Sequence, residues 1–376
     1  MMDERAVRDA MTCLRASDDL YERVMAEASG AGGAGRAPRR RGRAVPLGLA
    51  IALALGVALA TSGVAYAAVS GVFGAQVWGD HGLGETVTWS SGAEGALATW
   101  TQSFGGVDPE TLPPAVTDCV RAVDVSAEGN GYTLAIHEMA IDENGGGAVT
   151  FTLSNPAGVV LREVPETGQL MCDGTDERSI DAIQMRDAAD RVTFDYRTVF
   201  DRASRTDTSI DGVLYFTAFG TAADLSGQLI WTLNWHEGDA EGGDEEHPAD
   251  IVSHEATTQP ASIGPVIQTA TARDGSGAEA RLSPLTLRFR IPGAGDAGDK
   301  EFVPSYVAFT MADGSERVVW DGSAGIMNHY HANLSEDGSI TYALSQYLPV
   351  EEVQSLTVRG RMGVGETQEY VLTVQP

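Results

Sequence analysis

Tyr132-Thr-Leu-Ala-Ile-His-Glu-Met-Ala-Ile-Asp-Glu-Asn-Gly-Gly-Gly-Ala-Val-Thr-Phe-Thr-Leu153 decides the fold of the larger part of this chain. Residues 132–139 and 148–153 alternate in polarity and are rich in β-branched and aromatic side chains, as strands are. Asp142-Glu-Asn-Gly-Gly-Gly147 joins them as a turn sequence, so the two runs are expected to pair as a hairpin. Ala127-Glu-Gly-Asn-Gly131 marks another turn just ahead of the first strand. The same alternation recurs at 85–90, 97–103, 191–200, 213–219 and 228–235. A second series follows at 266–272, 279–291, 305–311, 317–320, 340–345, 355–361 and 369–374. Met311-Ala-Asp-Gly-Ser315 reads as a tight turn and Val350-Glu-Glu-Val353 as a single helical turn.

Short strands separated by such turns predict antiparallel sandwich packing. Residues 237–250 have no apolar period and carry six acids before residue 250. They are either an interdomain linker or a long hairpin tip. The expected division is a first β domain over 70–236, the acidic stretch 237–250, and a second β domain over 251–376. Each is long enough to bury a core of its own. The fold class expected for this outer region is all-β, as two antiparallel β-sandwich-like domains.

Upstream the pattern changes. Residues 45–69 run for 25 residues without a charge. As a helix they would be about 37 Å long, enough to cross a bilayer core of about 30 Å with some tilt. Arg36, Arg39, Arg40, Arg41 and Arg43 lie just before this run, with no acid among them. Basic residues stay on the cytoplasmic side, so the N-terminus is expected inside and residues 70–376 outside, at a cell membrane. Ala65-Tyr66-Ala67 is also a small-residue signal-peptidase site, and cleavage after Ala67 would release the outer part. About 43 residues with seven acids precede the apolar run, which favours a retained anchor over a signal peptide.

Charge separates the two sides. Residues 1–44 hold 9 arginines and 7 acids, while residues 70–376 hold 16 bases and 46 acids. Such an acidic outer region is self-repelling and argues against nucleic acid as a partner.

The inner segment, residues 1–30, places Val7, Ala10, Met11 and Leu14 at helical spacing, then Leu20, Tyr21, Val24, Met25 and Ala28. Two short amphipathic helices cannot close a core together, so their apolar faces call for a partner. Leu14, Leu20, Tyr21, Val24 and Met25 are the candidate contact residues. Residues 31–44 form a Gly/Arg-rich linker. Its Gly30-Ala-Gly-Gly-Ala-Gly35 follows no strand and opens no helix, so it is not read as a dinucleotide fingerprint.

Chemistry-bearing motifs are scarce. No GxSxG, P-loop or HExxH pattern occurs. No cofactor or metal is expected, and no enzyme activity is assigned. His329-Tyr330-His331 is the best metal candidate, because two histidines at i and i+2 share a face of a strand; Asp321 or Glu336 would complete the set. The plainer reading is a polar strand edge. Trp231 and Trp235 share a strand face, which suits either sugar stacking or core packing. Cys119 and Cys172 lie on the oxidising side and are a candidate disulfide, with two buried thiols as the alternative.

With these pieces assembled, the chain resembles a family of bacterial single-span membrane proteins associated with extracytoplasmic-function sigma factors. The likeness rests on Leu14-Arg-Ala-Ser-Asp-Asp-Leu-Tyr-Glu-Arg-Val24, on the arginines and the span ending Ser62-Gly-Val-Ala-Tyr-Ala67, and on the hairpin at 140–153. Ala312-Asp-Gly-Ser315 and Val350-Glu-Glu-Val-Gln-Ser-Leu-Thr-Val358 resemble the immunoglobulin-like domain that often trails in that family. The resemblance implies an anti-sigma-like signalling role, with an extracytoplasmic domain sensing an unidentified ligand and a sigma factor as cytoplasmic partner. The competing expectation is a membrane-anchored surface binding module or adhesin, with residues 1–44 a mere anchor.

Overall fold

The computed structural model describes residues 73–91, 98–105, 112–174, 178–237, 252–294, 301–363 and 365–375. The inner segment, the arginine run and the uncharged run 45–69 lie outside them. Among the described residues no helix is long and apolar enough to cross a membrane. They are mostly strand, in a sandwich-like all-β arrangement.

The first lobe is built on the hairpin that the sequence announces. Tyr132–Ile141 pairs with Gly146–Ser154, and Arg121–Gly129, Ser209–Ala218 and Phe194–Phe200 complete a five-stranded antiparallel sheet. Gly129 pairs with Tyr132 across a two-residue Asn130-Gly131 turn in which both residues have positive φ. That is the turn whose twist matches the flanking strands. A bulge at His137 resets the alternation: Leu134 and Ile136 face one core, and beyond the bulge Met139 and Ile141 face it again. Opposite lies a smaller sheet of Ala182–Asp187, Gln228–Glu237, Val252–Thr257 and Ala261–Ser262. Its Ile183, Met185, Leu229, Trp231 and Leu233 close the core.

The second lobe is one long antiparallel order curled over itself. Glu316–Asp321, Phe302–Met311, Val353–Met362, Thr367–Val374 and Ala270–Arg273 lead into Glu279–Leu282, Thr286–Arg290, Ile340–Leu344 and His329–Leu334. Phe309, Leu356, Val358 and Leu372 from one half meet Leu282, Leu287, Phe289 and Tyr342 from the other.

The lobes exchange pieces relative to the expected division. The hairpin Thr86–Ser91/Ala98–Ser103 joins the second lobe, through a parallel pairing of Thr101 with Ile326 beside Glu316–Asp321. Trp100 stacks on Trp320 there, with centroids 4.8 Å apart. Conversely, Val252–Thr257 pairs back onto Gln228–Glu237, ending at Glu237 opposite Val252. The strands on either side of residues 238–251 thus pair with each other, while that stretch itself lies outside the described residues.

A third core holds the lobes together. Ala140, Ala148, Val199, Val213 and Tyr215, on the other face of the five-stranded sheet, pack with Leu285, Ala343 and Tyr347 of the second lobe. Leu112, Val116 and Val120, around the four-residue helix Pro114–Thr117, join them. Phe73, Val77 and Trp78 are buried here as well, and Trp78 meets Tyr347 edge-on at 5.0 Å. The five-stranded sheet is therefore buried on both faces, which is why Gly146-Gly-Ala-Val-Thr-Phe151 carries no outward polar stripe beyond Thr150.

Candidate functional site

Polar side chains gather along the seam between the lobes in three groups. The first is the tip of the founding hairpin, which is driven into the second lobe. Asp142 is completely buried. Its Oδ2 accepts from the hydroxyls of Ser283 and of Thr286, the latter at 2.5 Å, and its Oδ1 accepts from Gly146 N at 3.1 Å. Burial raises its pKa to about 6, against the pull of those hydrogen bonds. Asn144 Nδ2 donates to Arg281 O at 3.2 Å and Thr286 Oγ1 at 3.0 Å. Glu143 Oε2 accepts from Thr269 N and Oγ1, and its N–H donates to Ile267 O at 3.0 Å. A Cβ on Gly146 would run into Thr286 Cγ2, so only glycine allows this approach.

The second group is aromatic. His81 Nε2 lies 3.1 Å from Tyr215 OH and 3.2 Å from Tyr330 OH, and the two tyrosine rings stack 3.7 Å apart. Tyr215 donates its proton to Val77 O at 2.5 Å, so His81 Nε2 is the donor toward it. Burial lowers His81 to about 4, and the ring is neutral at neutral pH. His331 Nε2 sits 2.9 Å from Thr217 Oγ1, and Asn333 Nδ2 donates to Thr217 Oγ1 at 2.6 Å. The Asn333 side-chain amide is thus spent inside the seam.

The third group is a groove of about 310 Å3 at one end of the seam, walled by Thr221 of the first lobe and by Glu279, Arg281, Arg288, Arg290 and Asp337 of the second. Arg288 Nη1 donates to Gly220 O, and its Nη2 lies 3.3 Å from Asp337 Oδ2. Arg281 and Arg290 are exposed and face no acid at ion-pair distance among the described residues. Thr221 and Ser339 hydroxyls are turned onto Asp224 and Asp337. Guanidinium groups in such a setting hold anions; no nucleophile–base pair accompanies them on the wall.

The residues singled out from sequence are distributed differently. His329 and His331 do not share a face: the strand bulges between them. His329 turns into the second core, with its ring 4.6 Å from Tyr342, while His331 turns to the seam. No cluster of three metal-ligating side chains occurs among the described residues. Cys119 and Cys172 are free thiols. Cys119 packs against the interlobe core and Cys172 against the first lobe's core, on opposite faces of the five-stranded sheet, so the candidate disulfide does not form. Burial pushes Cys172 up to about 12, as befits an inert thiol. Trp231 is core, and Trp235 stacks on His254 at 5.5 Å. Leu14, Leu20, Tyr21, Val24, Met25 and the five arginines 36–43 lie outside the described residues.

The arginine groove was missed by the sequence reading. Three arginines within ten residues of so acidic a chain were a signal. They become neighbours only once 279–291 is seen to be two strands folded at Ser283-Pro284-Leu285.

No family model matches the chain, and no curated protein matches it. Among solved structures it is similar to the crystal structure of the conserved domain protein from Bacillus anthracis, with a TM-score of 0.35 at 10% identity over 69% of this chain and 91% of that one.

Proposed function

We propose that the chain is a single-pass membrane regulator of the anti-sigma type, with its N-terminus in the cytoplasm and a two-lobed sensing region outside. The observation that carries this reading is the burial of Phe73, Val77 and Trp78 in the core shared by both lobes. Only Ser70, Gly71 and Val72 separate them from the uncharged run. A sensor needs its outer region tied directly to its span, so that a change in lobe docking reaches the membrane. An adhesin needs reach, and a flexible stalk after the anchor would serve it better. The bilayer and a cytoplasmic sigma factor are the partners in this reading. The Leu14, Leu20, Tyr21, Val24 and Met25 face is the contact. The second lobe stands as the immunoglobulin-like part.

The test is capture of a cytoplasmic protein by the tagged full-length chain in detergent. Wild type is expected to retain a sigma factor. Val24→Asp puts a charge on the apolar stripe and is expected to lose it, at a cost of several kcal/mol for a buried charge, whereas Arg23→Ala keeps it. If nothing is retained, or if the two variants behave alike, the anchored adhesin replaces this reading. Protease added to intact spheroplasts should digest residues beyond 70 and spare an N-terminal tag; a mature N-terminus at Ala68 would mean cleavage.

A further inference from the structure

We propose that the groove walled by Arg281, Arg288, Arg290 and Thr221 is the ligand site of the outer region and that it takes an oxyanion, a phosphate or carboxylate group of the sensed molecule. This deepens the sensing reading above and rests on it for its biological sense, though the binding itself does not.

The pairing pattern is the starting point. Glu279 lies opposite Arg290 and Arg281 opposite Arg288 on adjacent antiparallel strands, so all four side chains share one face. Like charges directly opposite are unfavourable in a sheet. The fold relieves only one of them. Arg288 is covered by Asp337 and Gly220 O. Glu279 does not serve Arg290, because its carboxylate is taken by Arg273 at 3.2 Å. Arg281 and Arg290 are left without an acid among the described residues, in a chain with 53 acids against 25 bases. Cations are scarce here, and two of them stand without an ion pair among the described residues in one groove, whose wall also carries Glu279 and Asp337.

Their spacing defines the ligand. Arg281 and Arg290 are diagonal neighbours on the sheet, about 7–8 Å apart at the backbone. Two long side chains converging from that distance can flank one tetrahedral or planar oxyanion, each offering a planar fork of donors. The cavity, about 310 Å3, has room for the anionic group and a few attached atoms. Its walls come from both lobes, and the backbone of Arg281 is fixed by Asn144 of the buried hairpin tip. An anion bound there meets the side chain of Arg281, whose backbone carbonyl the hairpin tip holds. A phosphorylated small molecule and a phosphate-bearing polymer offer the same chemistry to these arginines.

The experiment titrates the full-length protein in neutral detergent with inorganic phosphate, against chloride at matched ionic strength, and then with linear polyphosphate. Saturable phosphate binding at one site per chain is expected. Arg281→Gln and Arg290→Gln should each weaken it by about tenfold or more, the loss of a charge-assisted contact. Arg361→Gln, an exposed arginine elsewhere on the second lobe, should leave it unchanged. Circular dichroism checks that the variants fold. Phosphate that binds no better than chloride overturns the proposal, and so does an equal loss in Arg281→Gln and Arg361→Gln. Tighter binding of polyphosphate at the same arginines identifies a polymer as the source, and equal binding a free phosphorylated molecule. Capture of the cytoplasmic partner is read separately in the same variants, so loss of the groove and loss of the anti-sigma reading are told apart.

Discussion

The hairpin tips at 142–146 and 311–315 have the same backbone and opposite surroundings. In each, the first N–H donates to the fifth carbonyl, at 2.8 Å from Asp142 to Gly146 and 2.9 Å from Met311 to Ser315. In each, the fourth residue is a glycine with φ near 80°, Gly145 and Gly314, whose N–H returns to the first carbonyl. The third residues, Asn144 and Asp313, are near-isosteres. Yet Asp313 is solvated and merely caps Ser315 N at 2.8 Å, while Asn144 bridges two lobes. Turn chemistry sets the shape of a tip; whether it meets water or another lobe is set by strands far away in sequence. Polar residues at a tip are solvated by default, and here they are the fastening.

The matched exchange is the hardest test of this contrast. Asn144→Asp removes both donors and places a second carboxyl beside Asp142. It is expected to destabilise by at least about 2 kcal/mol, from two lost buried hydrogen bonds. Asp313→Asn should leave unfolding unchanged within error. Denaturant melts of the full-length chain in detergent decide it, and equal shifts would erase the distinction between the tips.

Gly146→Ala and Ser315→Ala probe the same position of the two turns. The first drives a methyl into Thr286 and should cost about 1–3 kcal/mol by overpacking. The second changes an exposed side chain and should stay within about 0.5 kcal/mol. A harmless Gly146→Ala would mean the lobes approach less closely than described.

The smallest expected effect lies in pH. Asp142 titrates near 6 in the fold against 3.8 without it, so its stabilisation is complete below 3.8 and is lost as pH rises through about 6. Wild type should therefore gain on Asp142→Asn as pH falls from 6 to 5, by about 1 kcal/mol. His81 and His331, depressed to about 4, destabilise both proteins alike over that range, since their contribution is present above 6.5 and lost on acidification. Asp313, held low by Ser315, should give the reverse slope if any. A difference curve that falls on acidification would refute the buried-carboxyl assignment.

Most of the strands were legible in the sequence, because alternation and turn residues are local properties. The failures were local as well as distant. Arg121–Gly129 went unread because its register with Tyr132–Ile141 slips between Ala122 and Val125, where Asp124 takes a positive φ and breaks the alternation. Residues 279–291 looked like one strand because Ser283-Pro284 was passed over as a turn; Ser283 Oγ accepts from the N–H groups of Leu285 and Thr286 and folds the chain back. The bulge after His329 reversed the facing of two histidines. The lobe to which 86–103 belongs is set by contacts far apart in sequence, the Thr101–Ile326 bridge and the Trp100–Trp320 stack among them, which no local pattern announces. The groove follows from these failures, since it needs the missed turn and a loop of the other lobe.

Trp78 against Tyr347 also has a bearing on how the molecule is made. The contact closes residues 78–347 into one loop, and contacts of such long sequence separation are slow to form. Residues 73–78 are synthesised long before Tyr347, so their pocket is completed late. Until Tyr347 has been synthesised and delivered, the interlobe core has no lid and its apolar lining stays open to water. The seam can therefore close only after most of the chain has been made. A fragment starting beyond Trp78 would leave the joint open for good, and a chain truncated before Tyr347 would do the same.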